Sequence, residues 1–162
     1  MNVKKTPLLA LVAIILLGAV GAQAHETKMG QLTVKGFWAR ATVKTQKTGA
    51  GYMTIHNAGQ AADRLVAVKS DVAAKTELHQ SFMKDGIMKM QHTHAVEVPA
   101  GGMAVLKPGG YHVMFLGLKA PLTDGTMFPV TLVFEKAGEM KAMVRVSKKP
   151  GMDHMKHGKK MH

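Results

Sequence analysis

Cysteine is missing from all 162 residues of the chain. Without thiols there is no disulfide staple, so the fold has to be held by packing alone. The same absence removes the thiolate that structural zinc sites and blue-copper electron carriers require. It also leaves no acceptor for a cysteine-linked lipid anchor. Aromatic residues are few, at one Trp, two Tyr and five Phe. So thin a stacking surface argues against nucleic acid as a partner, although Lys and Arg outnumber Asp and Glu by 22 to 10. The apolar run Leu8 to Ala22 is interrupted by glycine. It is also shorter than the roughly 20 residues a spanning helix needs.

That run follows Lys4 and Lys5 and ends at Ala22-Gln23-Ala24, the small-x-small pattern of a signal-peptidase site. The expectation is a signal peptide over 1–24, cleaved after Ala24, and a periplasmic mature chain beginning at His25. A retained membrane anchor is the alternative. Residues 25–162 suffice for one domain with a real core. Taking away Lys4 and Lys5 leaves 20 basic against 10 acidic residues, a charge of +10 that suits solubility and docking on an acidic surface.

What the chain does contain is many short, β-patterned segments separated by glycine and proline. The predicted strands are 31–40, 51–56, 64–68, 75–82, 87–98, 103–106, 111–118, 129–134 and 140–146. In the last of these Met140, Ala142, Val144 and Val146 fall on one face by period-two alternation. Turn signals such as Asn57-Ala58-Gly59, Asp85-Gly86, Pro108-Gly109-Gly110 and Asp124-Gly125 stand between them. Short strands at this spacing predict an all-β, two-sheet antiparallel sandwich or a barrel over 25–147. From Lys148 the sequence becomes a polar tail poor in aliphatics, expected to stay outside the core.

Methionine is the unusual excess, with 14 residues. It fills gaps in cores, but its thioether is also a preferred ligand for copper(I). If Asp85-Gly86 form the two central residues of a hairpin turn, cross-strand partners sum to 171. His79 then faces His92, Ser81 faces Met90, and His79 and Met90 become diagonal neighbours on one face. A one-residue slip would separate them. Further on, alternation in Tyr111-His112-Val113-Met114 puts His112 and Met114 on a common face. Two imidazoles and two thioethers suit copper(I) and poorly suit magnesium, calcium or zinc. By spacing alone, a His-x-Met pair in a strand reads more readily as two packed side chains than as two ligands. Met83, Met88, Met103, Met127, Met140 and Met143 read as core or rim filler.

The four residues fit His-x10-Met-x21-His-x-Met, and in this the chain resembles the periplasmic copper chaperone family PCu(A)C. Matching blocks surround them: Glu77-Leu78-His79, Gly86-Ile87-Met88-Lys89-Met90, Val98-Pro99-Ala100-Gly101-Gly102 and Leu106 through Met114. The likeness runs from Trp38-Ala39-Arg40 through Gly51 to Asn57 and on to Leu132-Val133-Phe134-Glu135. It implies a cupredoxin-like Greek-key sandwich and a copper(I) site at His79, Met90, His112 and Met114. It also implies binding without catalysis. The copper would go to the dinuclear centre of cytochrome c oxidase subunit II, often beside a Sco-type thiol protein. One departure is His92-Thr93-His94, where the family usually has proline. His92 reads as an exposed edge histidine or, as the alternative, a spare ligand.

Some relatives in that family carry Met/His-rich extensions for which copper(II) binding has been proposed. The tail here holds Met152, His154, Met155, His157, Met161 and His162, a possible second metal station or a basic arm touching anionic lipid. His25, once N-terminal, would join an amine to an imidazole, the start of a copper brace such as monooxygenases use. A frayed terminus is the simpler reading. His56 is expected to make a turn hydrogen bond, and Trp38 to sit in the core. Against the carrier stand three alternatives: a copper-buffering or resistance protein, a redox enzyme at His25, and a metal-free interaction sandwich.

Overall fold

A computed structural model describes residues 26–149, all of whose regular elements are strands. In chain order they are β1 (Glu26–Met29), β2 (Leu32–Arg40), β3 (Thr48–Asn57), β4 (Asp63–Lys69), β5 (Ala73–Lys84) and β6 (Ile87–His92). There follow β7 (Val96–Val98), β8 (Met103–Leu106), β9 (Tyr111–Leu118), β10 (Met127–Phe134) and β11 (Gly138–Ser147). The expected signal peptide over 1–24, His25 and the Met/His tail beyond residue 149 lie outside the described residues.

Hydrogen bonding runs in the order β6-β5-β9-β8-β3-β2-β11-β10-β4-β7, with β1 added to β2. The ribbon folds back on itself, so that β4 lies against β5 and β7 against β8. Alternate residues of both layers then meet in one core. Val34, Phe37, Ile55, Leu78, Val113 and Phe115 enter it from one side, and Leu65, Val98, Leu132, Phe134 and Val144 from the other. Met140, Ala142, Val144 and Val146 are all buried on one side of β11, as the alternation predicts. Most pairings are antiparallel, but β11 meets β2 in parallel over Arg145–Ser147 and Trp38–Arg40, which joins the two layers at one flank.

Two features position the site. In β2, Gly36 takes φ 58° and the register shifts between Lys35 and Trp38. Only a glycine adopts that conformation cheaply, and the bulge keeps Phe37 inward and Trp38 outward. In the β5–β6 hairpin, Asp85 and Gly86 have φ of 52° and 74°. Positive φ at both central residues is the signature of a type I′ turn, whose twist matches the strands it joins.

Three expectations need correction. β1 was not predicted, because Glu26-Thr27-Lys28-Met29 carries a half-exposed pattern without an apolar face. The predicted strand 87–98 is two strands. β6 is exposed at all six positions, whereas Val96 and Val98 are buried. Their burial draws the chain off β5 and onto β4. Among the methionines offered as filler, Met140 is core, while Met83, Met88, Met103, Met127 and Met143 are exposed.

Candidate metal centre

Strand β5 runs between β6 and β9, so His79 has a cross-strand neighbour on each side. His79 pairs with His92 on β6 and with His112 on β9. Ser81 pairs with Met90, as the turn arithmetic predicts, which leaves Met90 diagonal to His79. On the other flank Glu77 pairs with Met114, so Met114 is diagonal to His79 as well. All these side chains leave the sheet on the face opposite Leu78 and Val113, which pair with each other in the core. The apolar inner row thus fixes the outer row by parity.

His112 is only 4% exposed, while Met90 is 54% exposed. The site therefore has a buried floor and an open rim. The ring centres of His79 and His112 are 5.9 Å apart, and the His112 ring lies 6.4 Å from that of Tyr52. Tyr52 in turn lies 4.9 Å from Trp38 in a tilted stack. Trp38 is therefore not a core residue. It is half-buried on the outer face, packed on Tyr52, and Tyr52 walls the inner side of the site.

The hydrogen bonds of the two histidines assign their lone pairs. The Nδ1 of His112 donates to the Gly110 carbonyl at 3.0 Å, which leaves Nε2 as the basic nitrogen. His79 donates from Nε2 to the Glu77 carboxylate at 2.7 Å. That leaves its Nδ1 as the lone-pair atom, and Nδ1 is buried without any hydrogen-bond partner. An orphaned buried acceptor costs about 1–3 kcal/mol and calls for an explanation. A carboxylate or carbonyl on one ring nitrogen with an unpartnered lone pair on the other is the arrangement metal-binding imidazoles adopt.

Electrostatics agree. The hydrogen bond from His79, helped by Lys75, holds the Glu77 carboxyl down at about 2, so it remains a charged acceptor. Burial pushes His112 below the ordinary imidazole value, which favours the neutral, ligating form. Among the described residues no three His, Cys, Asp or Glu side chains gather into a metal-holding group. The neutral donors on this face are imidazoles and thioethers, a set that suits a soft metal.

The register places His79, Met90, His112 and Met114 on one sheet face, as expected for the hairpin, but the sequence reading missed some supports. Glu77 lies two residues before His79, on the same face by alternation, and could have been found that way. Tyr52 and the Gly110 carbonyl had no such local signal. Asn57, not His56, makes the turn hydrogen bonds, accepting from Gly59 N–H at 2.9 Å and donating to the Ala61 carbonyl at 2.9 Å. His92 is exposed, as expected. His25, Met152, His154, Met155, His157, Met161 and His162 lie outside the described residues.

Comparison with known proteins gives a consistent set. A sequence family described as putative lipoprotein LpqE-like matches residues 32–146. A putative lipoprotein of Leifsonia xyli subsp. xyli is 35% identical over 130 residues, covering 76% of this chain and 78% of its own. Among solved structures, the copper-bound PCuAC domain from PmoF2 superposes with a TM-score of 0.67 at 27% identity, over 77% of this chain and 99% of that one. The apo PCuAC domain from PmoF1 does so with a TM-score of 0.67 at 33% identity, over 77% and 100%.

Proposed function

We propose that this chain, which belongs to the PCu(A)C family matched as LpqE-like and has its cupredoxin-like fold, is an exported carrier of one copper(I) ion. The observation that carries this reading is the unpartnered, buried Nδ1 of His79, on a side chain that shares its sheet face with His112. Copper(I) would complete that valence, with His79, His112, Met90 and Met114 as its ligands. All four are neutral, so the ion keeps its single charge and needs no carboxylate. That suits a d10 ion and suits release.

Export is supported by the signal-like residues 1–24 and by the lipoprotein description of the family. In that compartment a thioether site is not lost to disulfide formation. Handover proceeds by ligand exchange at the open rim, where Met90 is the accessible ligand. The acceptor we infer is the dinuclear copper centre of cytochrome oxidase subunit II, with or without a Sco-type protein. No bond of the cargo's recipient is made or broken by this chain beyond that exchange, so the role is binding rather than catalysis.

The test is an anaerobic copper(I) titration against a chromogenic chelator, using the wild type, Met90→Leu and Met114→Leu. Leucine is close to methionine in volume, so the fold should survive. Affinity should fall in both variants. Unchanged affinity in both would remove these methionines from the ligand set. Delivery is tested by mixing copper-loaded protein with the soluble domain of oxidase subunit II and following the appearance of its copper absorption. If gene deletion costs copper tolerance and spares oxidase activity, the buffering alternative is the correct one.

A further inference from the structure

The histidines do not stop at the pair. Beyond His79 the row continues to His92 on the edge strand, 5.9 Å away between ring centres, and to His94 in the bend after it, 5.0 Å from His92. His79 is thus equidistant from His112 inside and His92 outside. Two imidazoles that share an ion, each nitrogen about 2.0 Å from it, have ring centres roughly 4.5–6.3 Å apart across right-angled to linear geometries. Every step of the row falls inside that window.

His92 and His94 are both exposed, and they do not belong to a slack loop. Between them the Thr93 N–H donates to the Leu78 carbonyl at 2.9 Å, extending the β5–β6 ladder by one bond. The Thr93 hydroxyl then donates to the Ala95 carbonyl at 3.1 Å. The register puts His92 on the side that bears His79 and Met90, and the ring separation keeps His94 beside it in the bend that follows. A single exposed histidine on an edge strand needs no explanation, but two held ring to ring beside an orphaned third nitrogen do.

We propose that His92 and His94 form a second, solvent-facing copper(I) site, and that the ion passes between it and the core through His79. The second part rests on the core reading given above. Each step along the row forms one copper–nitrogen bond as another breaks, and arrival in the core adds the copper–sulfur bonds to Met90 and Met114. The ion stays monovalent throughout, so no electron or proton donor is required. His79 pairs across the sheet with both His92 and His112, which makes its ring the exchange point.

The experiment uses the full chain and copper(I) alone, supplied anaerobically from a weak chelator. The wild type, the double variant His92→Gln/His94→Gln and Met114→Leu are compared. Expected for the double variant are the loss of one bound ion at saturation and loading slowed by about tenfold or more, with core affinity changed by less than about twofold. Met114→Leu should keep the copper-dependent shifts of the His92 and His94 ring resonances. Unchanged stoichiometry and rate would overturn the proposal. Lost stoichiometry with an unchanged rate would overturn the passage through His79. A matching fall in core affinity would make His92 a core ligand and overturn the second site. Failure of the core reading shows separately, as absence of the methionine-dependent affinity while the His92 and His94 shifts persist.

Discussion

Around Asp63, at the start of β4, both carboxylate oxygens are engaged, whereas around His79, in the middle of β5, one buried ring nitrogen has no partner. Asp63 accepts from the backbone N–H groups of Arg64 at 2.7 Å, Lys136 at 2.9 Å and Ala137 at 2.9 Å. Nearby Asn57 is similarly tied to Gly59, Ala61 and Val98. A groove lined by Met29, Leu32, Asn57, Asp63 and Lys136 lies against this cluster, but Asn57, Asp63 and Lys136 already face backbone there. The lesson is that burial of polar atoms does not by itself mark function. The closed cluster ties a loop junction together, and the open one leaves a valence for something else.

Changes that break this contrast rank by size. Replacing a direct ligand should have the largest effect. Met114→Leu should cost about 100-fold or more in copper(I) affinity, since even residues behind a ligand cost 10–100-fold. Its urea midpoint should stay near that of the wild type. Next comes Glu77→Ala, which frees the His79 ring from its fixed tautomer. Affinity should fall by about 10–100-fold by the same titration, again with little change in stability. Asp63→Asn should behave in the opposite way. An amide NH2 group would point at a backbone N–H, leaving a buried donor unpaired at a cost of about 1–3 kcal/mol in urea denaturation. Its copper affinity should not move.

The smallest effect is the pH dependence of the copper-free protein. Burial would raise the Asp63 carboxyl, but the three backbone N–H donors overcome it, and the net result is a value below its ordinary 3.8. A carboxylate depressed in the folded state stabilises above its unfolded value. That contribution should therefore be present above about pH 4 and be lost as pH falls through the folded value. Thermal melting between pH 3 and 5 should show the decline in the wild type and a flatter profile in Asp63→Asn. An equal decline in both would assign it to other carboxylates.

Much of the site was legible because it is local. Asp85-Gly86 announced a two-residue turn, and the turn fixed the partners of His79 and Ser81. Alternation alone placed His112 beside Met114. What could not be read was that β9, more than twenty residues further on, lies next to β5. Nothing local specifies which strands become neighbours. The sharing of His79 between His92 and His112, and the Tyr52 wall, follow from that non-local choice. The exposed Met83 and Met88 were misjudged for a related reason. A ribbon that continues past its layer exposes both faces, and period two cannot show where cover ends.

The type I′ turn carries a last implication. Because strand positions alternate sides, the ten residues separating His79 from Met90 obey a rule of parity. An insertion of one residue within either arm would send imidazole and thioether to opposite surfaces. Lengthening the turn itself would not. Natural variation in this hairpin should therefore come as even steps in the arms or as any step at the bend, a pattern that homologous sequences can be checked against.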